Sequence, residues 1–294
     1  MNGGIGLDRL SLNQATVTRL ALKEAVALCV RHDIPAIGLW RDPVADAGLA
    51  DAAAAVRAAG LRVSSLCRGG FFTMADPDGR RAALADNRAA IAEAAELGTS
   101  TLVLVCGGLP PGQRDLDLAR RMVADAIGSL VPQAQRLGVR LAIEALHPMF
   151  CADRCVISSL REAVDLALLF PADAVGVMVD TYHVWWDARL ADEIARAGRR
   201  ILGFQVCDWV LPLPADALLG RGHLGDGVID FAPIAASVAA AGYHGDVEVE
   251  IFNAAIWDAP PDQTAATVRE RFAAVLGGVL GVRNGGAGGP RRPG

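Results

Sequence analysis

Lysine is almost absent from this sequence. Lys23 is the only one among 28 basic side chains in 294 residues, and all the others are arginine. It lies in ALKEAVALC, on the outer face of an apparent helix. Schiff-base catalysis needs a desolvated lysine inside a pocket, so this scarcity argues against a lysine-dependent aldolase. Paired cysteine motifs are missing too. Cys29, Cys67, Cys106, Cys151, Cys155 and Cys207 are scattered with no C-x-x-C, which argues against a zinc site. They read as small buried hydrophobes in a reducing compartment, and even the nearest pair, Cys151 and Cys155, is expected to stay unbridged. No stretch approaches the ~18 uninterrupted apolar residues of a membrane span. No basic segment followed by an apolar run opens the chain, so no secretory leader is expected and a cytoplasmic protein is. The formal net charge is -5 with no basic stripe, which argues against nucleic acid as the main partner.

What is present is a steady alternation of strand and helix patterns. RLSLNQA, PAIGLWRD, LRVSSLCRGGFF, STLVLVCGG, VRLAIEALHP, VGVMVDTYH, ILGFQVCDW and GDVEVEIFN read as eight strands. Between them lie helical stretches such as GLADAAAAVRAAG and DLARRMVADAIGSLVPQAQRLG, several closing on a glycine that suits the residue after a helix. The uninterrupted apolar strand runs imply burial on both faces, as in parallel sheets. Eight such units in a chain of this length predict a single (β/α)8 TIM barrel over residues 1–283. A doubly wound sheet would carry a glycine fingerprint after its first strand, and RLSLNQA has none. GRGHLG at 220–225 has the G-x-G-x-x-G spacing, but it neither follows a strand directly nor opens a helix, so it reads as a loop. NGGAGGPRRPG at 284–294 reads as a disordered tail.

Active sites of such barrels lie at the C-terminal ends of the strands. Strand five ends near Glu144, strand six near Asp180, strand seven near Gln205 and strand eight near Glu250. Any one acid at a strand end is commonly a helix cap or a solvated loop group. Three carboxylates gathered on one rim would instead have to take up protons or bind a cation. Three carboxylates and an amide oxygen form a hard ligand set, which favours Mn2+, with Mg2+ or Co2+ as substitutes. The early strand ends contribute Asn13, Trp40, Arg41 and Arg68 as candidates to shape substrate choice. Trp40 could equally be core filler and Arg41 an outer ion-pair group. Asp208 and Trp209 are candidates to line the pocket.

These motifs resemble the xylose isomerase-like barrels known as sugar phosphate isomerases/epimerases. That group includes ketose 3-epimerases, hydroxypyruvate isomerases, inosose isomerases and dehydratases, 3-dehydroshikimate dehydratases and the endonuclease IV branch. The resemblance rests on Glu144 in IEALHP and on Asp180-Thr181-Tyr182-His183. It continues through Arg221 followed by Gly225-Asp226-Gly227 and Ile229-Asp230-Phe231, and ends at Val249-Glu250-Ile251. It implies Glu144 and Asp180 on the metal, with His183 near substrate. The chain departs from the epimerase pattern at Gln205, where those enzymes usually place histidine; glutamine there resembles the dehydroshikimate dehydratases.

The expected activity is a metal-dependent isomerase or epimerase of a small polyhydroxylated carbonyl compound such as a sugar, keto-sugar or inosose, working through a metal-bound enediolate. Glu144 and Glu250 are the candidate proton carriers. A dehydratase or lyase on the same scaffold is the alternative, with His183 as acid because imidazole titrates near neutral pH. Arg221 would hold an anionic oxygen, or else pair with Asp226 or Asp230. His147 is either a substrate contact or a packed rim residue. An endonuclease IV-like phosphodiesterase is disfavoured, because that chemistry uses several metals and more histidines than the five found here. The expected partner is a carbohydrate-like small molecule, with no nucleic acid and no membrane, and homo-oligomerisation is left open.

Overall fold

A computed structural model describes residues 6–280. The expected tail at 284–294 lies outside the described residues. Eight parallel strands close into a barrel. They are β1 (Leu10–Asn13), β2 (Ala36–Trp40), β3 (Arg62–Gly70), β4 (Thr101–Val105), β5 (Arg140–Glu144), β6 (Val175–Asp180), β7 (Ile201–Val206) and β8 (Val247–Val249). β1 pairs with β8 in the register Leu10↔Val247, which closes the ring. The predicted (β/α)8 class is the observed one.

Alternation along each strand sorts side chains by face. Leu10, Leu12, Ile37, Leu39, Leu141, Ile143, Val175, Val177, Val247 and Val249 belong to one large buried cluster shared with the surrounding helices. The alternate positions carry different chemistry. Cys67, Val103, Ala142 and Met178 form a separate small cluster with Leu202, against which Trp40 packs. Ser11, Asn13, Gln205, Glu248 and Glu250 are polar, yet all are buried. The barrel therefore keeps its largest aliphatic groups outside and holds small and polar groups within.

Two glycines show backbone demands that no other residue meets. Gly138 follows the helix Leu116–Leu137 with φ of 67°, the left-handed position that ends a helix. Gly38 lies where a Cβ would stand 2.5 Å from the Glu248 carboxyl carbon, so its missing side chain makes room for that acid inside the barrel.

The segments GLWRD and VDTYH, read as strand ends, turn earlier than expected. A helix begins at Arg41, directly after Trp40. Another covers Thr181–Val184, with Asp180 as its N-cap accepting the Tyr182 N–H at 2.9 Å. All six cysteines are free. Among the described residues no helix is long and apolar enough to cross a membrane.

Candidate active site

Glu144 and Asp180 are the final residues of β5 and β6, and Gln205 is the penultimate residue of β7. Glu250 follows β8 immediately. Strand pairing aligns Asp180 with Gln205 and Gln205 with Glu248, so these side chains share one interior rim. A cavity of about 430 Å3 opens there, lined among others by Glu144, His183, Arg221, Glu250, Trp40 and Arg68. A larger groove of about 780 Å3 lies alongside and shares Trp40 and Arg68, but it contains none of the strand-end acids.

The carboxylates are strongly desolvated. Burial and the neighbouring acids Asp180 and Glu250 push Glu144 well above the ordinary carboxyl range. Burial raises Asp180 as well, against the pull of Arg221. Glu250 is pushed up to about 8, by burial first and then by the Asp180 and Glu248 charges, with Arg221 opposing. Repulsion among these groups is what a cation would relieve.

One cation is already there. Arg221 is fully buried, and its Nη1 donates to Asp180 Oδ2 at 3.1 Å and to Glu250 Oε2 at 3.0 Å. Its guanidinium lies between the Tyr182 and Phe252 rings, 4.7 and 4.8 Å from their centroids. The alternative pairing with Asp226 or Asp230 does not form. Arg221 leaves its loop and reaches into the barrel, because Arg221–Gly222 pairs with Asp208–Trp209 as a short antiparallel ribbon. Asp208 does not line the pocket. It accepts backbone N–H groups from Trp209, Gly225, Gly227 and Ile229, and so shapes that loop.

His183 joins the acids. One ligand atom from each of Glu144, Asp180 and His183 lies within 4.8 Å of the others. Its Nδ1 accepts the His147 backbone N–H at 3.2 Å, and its Nε2 stands 3.1 Å from the Arg221 guanidinium. A neutral imidazole accepts at only one nitrogen. Here both ring nitrogens face a donor, and Nε2 also stands 3.7 Å from Asp180 Oδ2 and 4.0 Å from Glu144 Oε1, within the reach of a shared cation. Burial and the Arg221 charge hold the imidazole well below its usual range, so it is neutral near pH 7. This corrects the expectation that it titrates there.

Gln205 is the oxygen-donor counterpart. Its Nε2 donates to Glu248 Oε1 at 2.8 Å, which fixes the amide with Oε1 facing away. That Oε1 is buried and has no hydrogen-bond partner. An orphaned buried acceptor beside three desolvated carboxylates is a position that suits a hard cation. Of the expected donors, Glu144 and Asp180 fall in the close group, with His183 as its third member; Gln205 is paired with Asp180 across the strands, and Glu250 is tied to Asp180 through Arg221.

Glu248 was not among the expected residues. Besides Gln205 it accepts Asn13 Nδ2 at 2.6 Å and the hydroxyls of Ser64 and Ser65 at 2.5 and 2.8 Å. Asn13 Oδ1 in turn accepts the Trp40 indole N–H at 2.8 Å. The alternation of VEVE carried the signal, since acids two apart on a strand share a face. Arg154 was missed as well. It lies on the loop after β5, where no periodic pattern marks it, and it lines the cavity.

The other expected contacts divide. Trp40 and Arg68 line the cavity. Arg41 is an outer ion-pair group, bound to Glu93 at 2.6 Å and Asp86 at 2.8 Å. His147 is corrected to a rim residue. Its ring lies 5.1 Å from that of Trp209 and 5.5 Å from that of Trp186, and it is not part of the cavity lining.

Comparison with known proteins follows the geometry. The family described as "Xylose isomerase-like TIM barrel" matches residues 24–274. Protein SMc04130 from Sinorhizobium meliloti 1021 is 49% identical, with a TM-score of 0.89 over 92% of this chain and 98% of its own. An IolI protein with a bound zinc atom, 20% identical, has a TM-score of 0.81 over 92% of this chain and 99% of its own. An L-ribulose 3-epimerase, 19% identical, reaches 0.74 over 92% of this chain and 95% of its own. At those identities the likeness concerns the fold alone. The 3-dehydroshikimate dehydratase of Pseudomonas putida (strain KT2440) is 30% identical over 178 residues, 58% of this chain. The chain spans 26% of that relative's length.

Proposed function

The chain belongs to the xylose isomerase-like TIM-barrel family, and from that premise we propose that it is a divalent-metal-dependent isomerase or epimerase of a small polyhydroxylated carbonyl compound. The observation that carries this reading is the orphaned Gln205 oxygen among three desolvated carboxylates. Glu144, Asp180, Gln205 and Glu250 would hold the ion, with Mn2+ the best match to the ligand set and Mg2+ or Co2+ as substitutes. When bound, such an ion would polarise a carbonyl oxygen and acidify the neighbouring C–H.

The remaining chemistry belongs to the chain. Glu144 and Glu250 come from strands separated by β6 and β7 on the ring, so they can flank a bound carbon from two directions. One removes the proton and the other returns it, to the opposite face or to the adjacent carbon. The buried His183, held between the His147 N–H and the Arg221 guanidinium, places its Nε2 beside the acids. Arg221 positions Asp180 and Glu250 through the two bonds from Nη1. Trp40 and Phe252, whose rings meet edge to face at 5.6 Å, form a wall that sheds water from the reacting carbons.

A second reading is a dehydratase. It is favoured by the 30% identical stretch shared with the 3-dehydroshikimate dehydratase and by the glutamine at position 205. The same proton abstraction next to a β-hydroxyl would expel water.

Incubation of Mn2+-loaded protein with candidate carbonyl compounds in D2O separates the two. Isomerisation leaves composition unchanged apart from a solvent deuteron fixed on carbon. Dehydration loses water and raises ultraviolet absorbance. If no carbon-bound deuterium appears and no water is lost with any polyhydroxylated carbonyl substrate, the proton-transfer reading is wrong.

A further inference from the structure

Most half-buried arginines of this chain have partners. Arg41, Arg62 and Arg120 each meet a carboxylate within hydrogen-bonding distance, and Arg200 caps three backbone carbonyls. Two arginines of the catalytic cavity do not follow that pattern. Arg68 makes no side-chain hydrogen bond or ion pair among the described residues. Its guanidinium stacks 4.2 Å from the Phe71 ring centroid, which covers one face and leaves its N–H edges open. Arg154 has a buried Nε with no hydrogen-bond partner. Its nearest carboxylates, Asp153 at 3.6 Å and Asp216 at 3.9 Å, lie on exposed loop positions and beyond hydrogen-bond reach. Both side chains line the same cavity.

Resting on the proposed function and naming its substrate class, we propose that Arg68 and Arg154 form an oxyanion clamp, so that the substrate carries a carboxylate or phosphate group. Two guanidinium groups that face one cavity repel each other until an anion enters between them. Burial lowers the proton affinity of Arg68, against the opposing pull of Cys67, Asp42 and Glu144, none of which comes within ion-pair distance of it. Arginine presents a planar fork of donors that matches a carboxylate or phosphate in two parallel bonds. The strand-end acids pair with neither arginine: Arg221 bridges Asp180 and Glu250, and burial disfavours the charged form of Glu144. Leu146, Leu218 and Phe252 line the same cavity and would hold the carbon frame of such a ligand.

Calorimetric titration with cyclohexanecarboxylate, cyclohexylmethanol and cyclohexyl phosphate tests this. The three share one ring, and only the alcohol is uncharged. Carboxylate and phosphate can ligate Mn2+ directly, so the metal-free titrations carry the test of the clamp. Titrations are run on EDTA-treated and on Mn2+-loaded wild type, Arg68→Gln and Arg154→Gln, with Mn2+ affinity measured for each protein. One or both anions should bind at least about tenfold more tightly than the alcohol, a ratio each substitution should reduce to about one. The anion that shows the preference identifies carboxylate or phosphate as the source. Mn2+ affinity should be unchanged in both variants. Equal binding of all three ligands, or none by any at millimolar concentration, overturns the clamp whatever the metal does. Failure of Mn2+ to bind with the anion preference intact would instead overturn the metal-dependent reading alone.

Discussion

Replacing Gln205 by leucine separates the metal role of this residue from its structural one. Without metal, the substitution removes one charge-assisted bond to Glu248, a loss of about 1.5–3 kcal/mol. It also removes a buried oxygen with no partner, which returns about 1–3 kcal/mol. Glu248 keeps its bonds from Asn13, Ser64 and Ser65. In EDTA the stability of the variant should therefore stay within about 2 kcal/mol of wild type. With metal the two proteins should part. Loss of an oxygen donor weakens binding at least about tenfold, using the loss seen for residues that merely orient a ligand as a floor. At saturating Mn2+ that removes about 1.4 kcal/mol or more of linked stabilisation. Urea denaturation with and without saturating Mn2+ measures both quantities. A variant that collapses in EDTA, or that gains as much from Mn2+ as wild type, would refute the assignment of Oε1 to the ion.

The pH dependence has a definite sign. Glu250 is pushed up to about 8 and Glu144 and Asp180 are also raised, so the metal-free fold retains protons that the unfolded chain has released. Melting temperatures in EDTA should thus fall as pH rises from about 5 to about 8, and Mn2+ should flatten or reverse the slope; a rise in EDTA would show that these carboxyls are not desolvated. Arg221→Met leaves Asp180 and Glu250 without their shared donor and should cost about 3–5 kcal/mol in EDTA, with Mn2+ recovering more than it gives wild type. Equal recovery in the two proteins would argue against a common place for ion and acids. Glu248→Gln turns one acceptor oxygen into a donor amide facing two of the four donors. It should cost about 1–3 kcal/mol and weaken Mn2+ at least about tenfold, read by denaturation and calorimetry.

The barrel was legible because its strands and helices differ in hydrophobic period, and because glycines such as Gly138 mark helix ends. Glu144, Asp180, Gln205 and Glu250 were legible for a related reason, as polar residues ending apolar runs. What escaped lay in contacts between distant segments. No local pattern says that Arg221 turns inward, since that depends on its pairing with Trp209. Nothing near His183 in the chain says that its Nδ1 meets the His147 N–H, 36 residues away. Glu248 was within reach, because its spacing from Glu250 is that of one strand face. Its four donors come from β1, β3 and β7, and no single segment reveals them.

The tie from Trp40 through Asn13 and Glu248 to Gln205 has a consequence for altering selectivity. Trp40 bounds the ligand space, so it is the natural position to resize for a different molecule. Yet its indole N–H anchors the relay that would aim an amide at the proposed ion. Enlarging the room at this wall would also detune the electrophile, and the two traits would have to be adjusted together.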